Sequence, residues 1–176
     1  MTIKVILTYA ISVRYLLAFI SCLPIAVAVA LPEDVEQPIL IDYNSSKFLL
    51  DEGKQMLYGS LDEPAVVTQG TLKISGLEII TESINGEVKK VTVTGAPAHF
   101  QHQPAIDQGL AIAVGDTIIM DFDTQHMSAI GKVTFTQDGN VWSGCQIDYF
   151  IGESVTTPAC ENGEQASLFI PPRNDQ

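Results

Sequence analysis

Basic residues are scarce in this chain: nine Lys and Arg stand against 21 Asp and Glu, a formal net charge of −12. So negative a chain is not expected to read nucleic-acid phosphate or anionic membrane faces, both of which recruit lysine and arginine. Histidine is also rare, and His99 and His102, three apart, face opposite sides of a strand, while His126 lies elsewhere. Nothing has zinc-ligand spacing, no serine sits in a nucleophile turn, and no glycine-rich loop opens a helix. Asp116, Asp121 and Asp123 lack the glycine and terminal glutamate of a calcium loop and read as solvated strand-end charges. The expectation is a chain without catalysis, metal or cofactor. No 3.6-residue apolar stripe occurs either, which excludes a helical bundle.

The N-terminus carries only two charges in residues 1–30, Lys4 and Arg14. A basic start, an apolar middle over residues 15–25 and the small-residue run AVAVA at 26–30 predict a secretory signal peptide cut after Ala30. A single membrane anchor is the alternative. The eleven to sixteen apolar residues, interrupted by Pro24, fall short of the ~20 that span a bilayer. Cleavage leaves seven basic against 21 acidic residues, about −14, in one domain with a real core. Only Cys145 and Cys160 survive it. In an oxidising compartment, with a turn at Gly152-Glu153 setting them opposite one another, they are expected to form a disulfide. Two buried reduced thiols are the alternative.

What is present is strand after short strand. Ile39, Ile41 and Tyr43 alternate, as do Ile118, Met120 and Phe122. Asn85-Gly86 and Asp138-Gly139 each mark a tight hairpin turn, because those residues accept positive φ. Residues 65–80 recur 68 positions later: Thr68, Gln69, Ser75, Gly76 and Ile79 reappear as Thr136, Gln137, Ser143, Gly144 and Ile147. Eleven to thirteen short strands with regular turns predict an all-β fold, a sandwich, jelly roll or barrel. Residues 103–109 read as a longer surface connection, and 161–176 as a disordered polar tail. The folded domain is expected over 31–160.

Four segments carry a resemblance. Glu36-Gln37-Pro38-Ile39, the run VVTQGTLKI at 66–74, the run GAPAHFQ at 95–101, and Gly131 with Val133 follow the motif order of the LptA, or OstA-like, family of periplasmic lipopolysaccharide-transport proteins. The chain resembles that family over nearly all of its mature length. It departs in extra residues near 61–64, in Met120 where tyrosine is usual, and in the cysteine pair. The resemblance implies a twisted, open β-jelly roll of antiparallel strands in the periplasm. Its apolar trough would hold the acyl chains that lipopolysaccharide carries on its lipid A, with Ile39, Ile41 and Phe100 as lipid contacts and Met120 and Phe122 as further ones. It implies partners as well: further copies stacked head to tail, a homologous inner-membrane transport component at the N-terminal edge near residues 38–43, and an outer-membrane translocon at the C-terminal edge near 155–159. Two other readings stay open: an adaptor recruiting strands at open sheet edges, and a secreted hydrolase.

Overall fold

The computed structural model describes residues 34–49, 52–105, 108–151, 155–160 and 164–172. The expected signal peptide and the Gly152-Glu153 turn lie outside them. After one 3-10 turn, Asp34–Glu36, twelve strands follow: β1 (Leu40–Asp42), β2 (Ser45–Leu49), β3 (Lys54–Tyr58), β4 (Ala65–Gln69), β5 (Leu72–Gly76), β6 (Glu78–Ile84), β7 (Glu87–His102), β8 (Ala111–Asp121), β9 (His126–Gln137), β10 (Asn140–Phe150), β11 (Val155–Ala159) and β12 (Ser167–Phe169). No helix among the described residues is long and apolar enough to cross a membrane.

All twelve strands belong to one hydrogen-bonded antiparallel sheet, and the sheet is folded on itself. The long strands β7 to β10 each run through both layers. The first half of β7 pairs with β6 and its second half with β5. Similarly, β10 pairs with β12 over Val141–Ser143 and with β11 over Gln146–Phe150. One layer is therefore β2-β3-β6 with the first half of β7, continuing through β8, β9 and β10 to β11. The other is β1-β4-β5 with the second half of β7, ending in β12.

The fold line is written in the pairing. Register shifts occur between Thr94 and Ala98, between Val114 and Thr117, and between Gly144 and Gln146. Across each shift the buried positions change parity: Val91 and Val93 face inward before it and Ala98 and Phe100 after it, as do Ala113 and then Ile118. A residue out of register turns a strand's inner face over, so both halves of a bent strand can line the same interior. β9 keeps its parity and bends through two left-handed residues, Gly131 at φ 80 and Lys132 at φ 47. Gly76, Gly95, Gly115, Gly131 and Gly144 thus form a row along the crease. A Cβ on Gly76 would lie 2.5 Å from the Thr94 carbonyl oxygen, too close for any side chain at this point of backbone contact.

The internal repeat has a structural meaning. In the first copy the hairpin β4–β5 leaves its layer at Gly76 and delivers Ile79 to the other. In the second, β9–β10 crosses at Gly144 and delivers Ile147. Both isoleucines are fully buried. The hairpin turns are as expected, with Asn85 and Gly86 at φ 54 and 85 and Asp138 and Gly139 at φ 52 and 79.

Two expectations are corrected. The strands are not uniformly short: β7 has 16 residues, and its halves look like two strands because the alternation changes phase at the crease. The tail is not without order across its described part, since Ser167–Phe169 pairs with β10 and sets Leu168 opposite Trp142. Cys160 is bonded to Cys145, S–S 2.03 Å, which returns the chain to that edge.

Candidate functional site: the interior and its open side

The two layers enclose an apolar interior. Tyr149 of one meets Phe100 and Phe135 of the other at centroid distances of 5.9 and 5.2 Å. Around them lie Leu72, Ile74, Ile118, Met120, Met127 and Ile147, all at most 2% exposed. The buried set among the described residues contains no Lys, Arg, Asp or Glu. Its polar members are Gln69, Thr81, His102 and Gln137.

The residues read from the sequence as lipid contacts fall into two groups. Phe100 and Met120 lie deep in the closed interior, on opposite layers. Ile39 and Ile41 are half-buried against it beside β4, with Ile41 opposite Val67. Phe122 follows β8 and is also half-buried. Ile39 and Phe122 come together in one cavity of about 440 Å³, on the side of the molecule away from the crease. Gln37 and Gln69 bound it from one layer, Val88, Lys89 and Gln125 from the other. Lys89 is held between Asp123 at 2.9 Å and Glu87 at 3.1 Å. These two carboxylates, Asp123 foremost, keep its ammonium above the usual lysine range. A larger cavity, about 560 Å³, lies by the disulfide and is lined by Lys132, Ser143, Glu164 and Gln165 among others.

The open side carries a polar chain that sequence reasoning missed. The Thr71 amide and hydroxyl donate to Asp34 at 2.8 and 2.6 Å. Asp34 Oδ2 is 3.2 Å from His102 Nε2, and His102 Nδ1 is 3.4 Å from the Tyr149 hydroxyl. Gln69 adds a bond from its side-chain amide to the Gln37 carbonyl at 3.1 Å. Burial pushes the His102 pKa down, against the opposing pull of Asp34. Strand parity does place His102 inward and His99 outward, as alternation implies, but no spacing in the sequence links either to Asp34.

Among the described residues, the polar groups that do meet form no nucleophile–base pair of the triad kind. His126 Nε2 lies 3.1 Å from Asp148, and Ser128 donates to the same carboxylate oxygen. The aspartate stands between serine and histidine, so the imidazole does not reach the serine hydroxyl as it does in a nucleophilic triad. Asp121 caps the Thr124 amide at 2.8 Å, and this bond lowers its pKa. Cys145, Cys160 and Glu164 cluster within 4.8 Å, but both sulfurs are tied in the disulfide and offer no thiolate to a metal.

Comparison with known proteins gives concordant results. The chain is 29% identical over 143 residues, 81% of its length and 79% of the relative's, to the lipopolysaccharide export system protein LptH of Pseudomonas aeruginosa. It superposes on the crystal structure of LptH, the LptA-homologous periplasmic component of the conserved lipopolysaccharide transport device from that organism, with a TM-score of 0.71 and 27% identity, covering 80% of this chain and 100% of the other. Residues 63–155, over half of the sequence, match the family described as LptA/(LptD N-terminal domain) LPS transport protein, and the chain belongs to that family.

Proposed function

We propose that this chain is a periplasmic carrier that holds the acyl chains of lipopolysaccharide between its two layers and bridges the inner and outer membranes. The observation that carries the reading is an interior without a buried Lys, Arg, Asp or Glu among the described residues, enclosed by two layers that are joined at a crease and end in turns on the opposite side. Each methylene withdrawn from water is worth about 0.8 kcal/mol. Several acyl chains therefore supply ample drive without a basic patch, even for a negative protein and a negative lipid. Ile39 and Phe122 are the first contacts at the cavity, Ile41 lies alongside, and Phe100 and Met120 are reached when the layers part. Catalysis has no part in this scheme.

Assembly follows from the edges. The outer edges of β1 and β2 at one end, and of β11 and β12 at the other, are unlike one another. Contacts between unlike edges propagate as rods, so copies stack head to tail. The N-terminal edge docks an inner-membrane component and the C-terminal edge an outer-membrane translocon.

A photo-crosslinking residue at position 39 or 100 is expected to capture lipopolysaccharide, and one at exposed Gln108 is not. Equal labelling at all three positions would sink the assignment. The closed packing of the interior favours one rival, an adaptor that recruits partners by strand addition and carries no lipid. Lipid co-purifying with the exported chain separates the two.

A further inference from the structure

The two sides of the interior are closed by different means. On the crease side β7 to β10 pass from layer to layer as unbroken backbone. On the opposite side the layers end in turns, and side chains hold them together. There Thr71 and His102 belong to one layer and Tyr149 to the other, with Asp34 of the N-terminal turn joined to the first two. A carboxylate only accepts, so His102 Nε2 carries the proton facing Asp34, and Nδ1 accepts from the Tyr149 hydroxyl. Burial favours the neutral imidazole, and both its nitrogens are engaged.

Such a chain opens more readily than aliphatic packing of the same area. Water re-satisfies each polar group as it parts, whereas exposed hydrocarbon has no such compensation. The same segment runs on through Gln37, bonded to Gln69, to Ile39 at the cavity rim. The far wall, Val88 and Phe122, belongs to the other layer. Releasing Asp34 therefore frees one rim of the cavity and removes the partner that orients the His102 imidazole toward Tyr149 across the layers.

We propose that Asp34, His102 and Tyr149 form a clasp along the open side, and that its release, pivoting on the glycine crease, admits the acyl chains of an amphiphilic lipid to Phe100 and Met120. The proposal rests on the carrier reading. The Asp34 carboxylate, the His102 imidazole and the Tyr149 hydroxyl act in the clasp as positioning groups, bonded in sequence to one another.

The test uses the exported chain and fluorescently labelled lipopolysaccharide in stopped flow. Asp34→Asn and Tyr149→Phe, which keep side-chain shape, are expected to raise both association and dissociation rates severalfold to about tenfold, the factor one hydrogen bond is worth. Affinity moves less than either rate. Without lipid, the Thr71 amide that Asp34 caps exchanges its hydrogen faster in Asp34→Asn. Ser128→Ala, on the outer face, leaves both rates at the wild-type value. Should Asp34→Asn fail to fold, Tyr149→Phe alone decides. Variants that melt lower yet take up lipid at the wild-type rates overturn the clasp and leave the carrier standing. A wild-type chain that takes up no lipid overturns the carrier reading and the clasp with it.

Discussion

Replacing Phe100 by alanine tests whether the resting interior is packed core or an empty trough. Phe100 is 1% exposed, packs edge-on against Tyr149 at 5.9 Å and lies 6.4 Å from the His102 ring. Truncating a phenylalanine in a filled core costs about 3–5 kcal/mol, through lost transfer energy and the cavity left behind. In a domain of this size that corresponds to a fall in Tm of roughly 10–20 °C. Thermal and urea unfolding of the lipid-free chain supply the assay, with Leu61→Ala as the comparison. Leu61 is 79% exposed, and its truncation is expected to stay within about 0.5 kcal/mol. A Phe100→Ala loss no greater than about 1 kcal/mol would refute the reasoning, because it would mean that the ring faces a void.

Two further outcomes are expected. Cys145 and Cys160 close a loop with a sequence separation of 15, worth about 3 kcal/mol, so their joint replacement by alanine lowers Tm by roughly 10 °C; exported protein that mass spectrometry finds at the full reduced mass would contradict the bond. His102, its pKa lowered chiefly by burial, binds a proton more readily unfolded than folded, so its contribution is complete above the unfolded value of about 6.5 and declines as pH falls through it. Wild-type Tm should fall between pH 7.5 and 5.5 by more than that of His102→Gln, and equal falls would count against the assignment.

The hairpins and the fold class were legible because their signals are local. Asn85-Gly86 can adopt the backbone that a two-residue turn demands, and the alternation of Ile118, Met120 and Phe122 spans one strand half. The crease was not legible, and the reason is physical. Alternation reports which residues share a face only while register is kept. At Gly95 to Pro97 the register shifts, so the two halves of β7 read as separate strands of opposite phase. The repeat held the missing clue: Gly76 and Gly144 occupy the same place in both copies, one at a strand end and the other within a strand. The clasp left no trace at all. Asp34 and His102 are 68 residues apart in sequence, and neither sits in a motif with a known partner. Only the path of the N-terminal turn across the β4–β5 turn brings them together. The strand in the tail, Ser167 to Phe169, was too short to stand out against the prolines that follow it.

A carrier of acyl chains has to fold without its cargo and repack around it. Both demands are visible in the choice of interior residues. Backbone pairing links all twelve strands into one sheet, so each layer keeps its hydrogen bonds whatever fills the space between them. The filling itself is weighted toward small and adaptable side chains. Ala65, Ala98, Ala111, Ala113 and Ala129 are fully buried, and Met120 faces Met127 across the β8–β9 pair. Methionine has three rotatable bonds and a polarisable sulfur, and it conforms to irregular partners. Alanine leaves no bulk to displace. The rigid aromatics Phe100, Phe135 and Tyr149 cluster instead where the two layers meet. On the carrier reading, separating that cluster is the main cost of opening, and the burial of acyl methylenes is what offsets it.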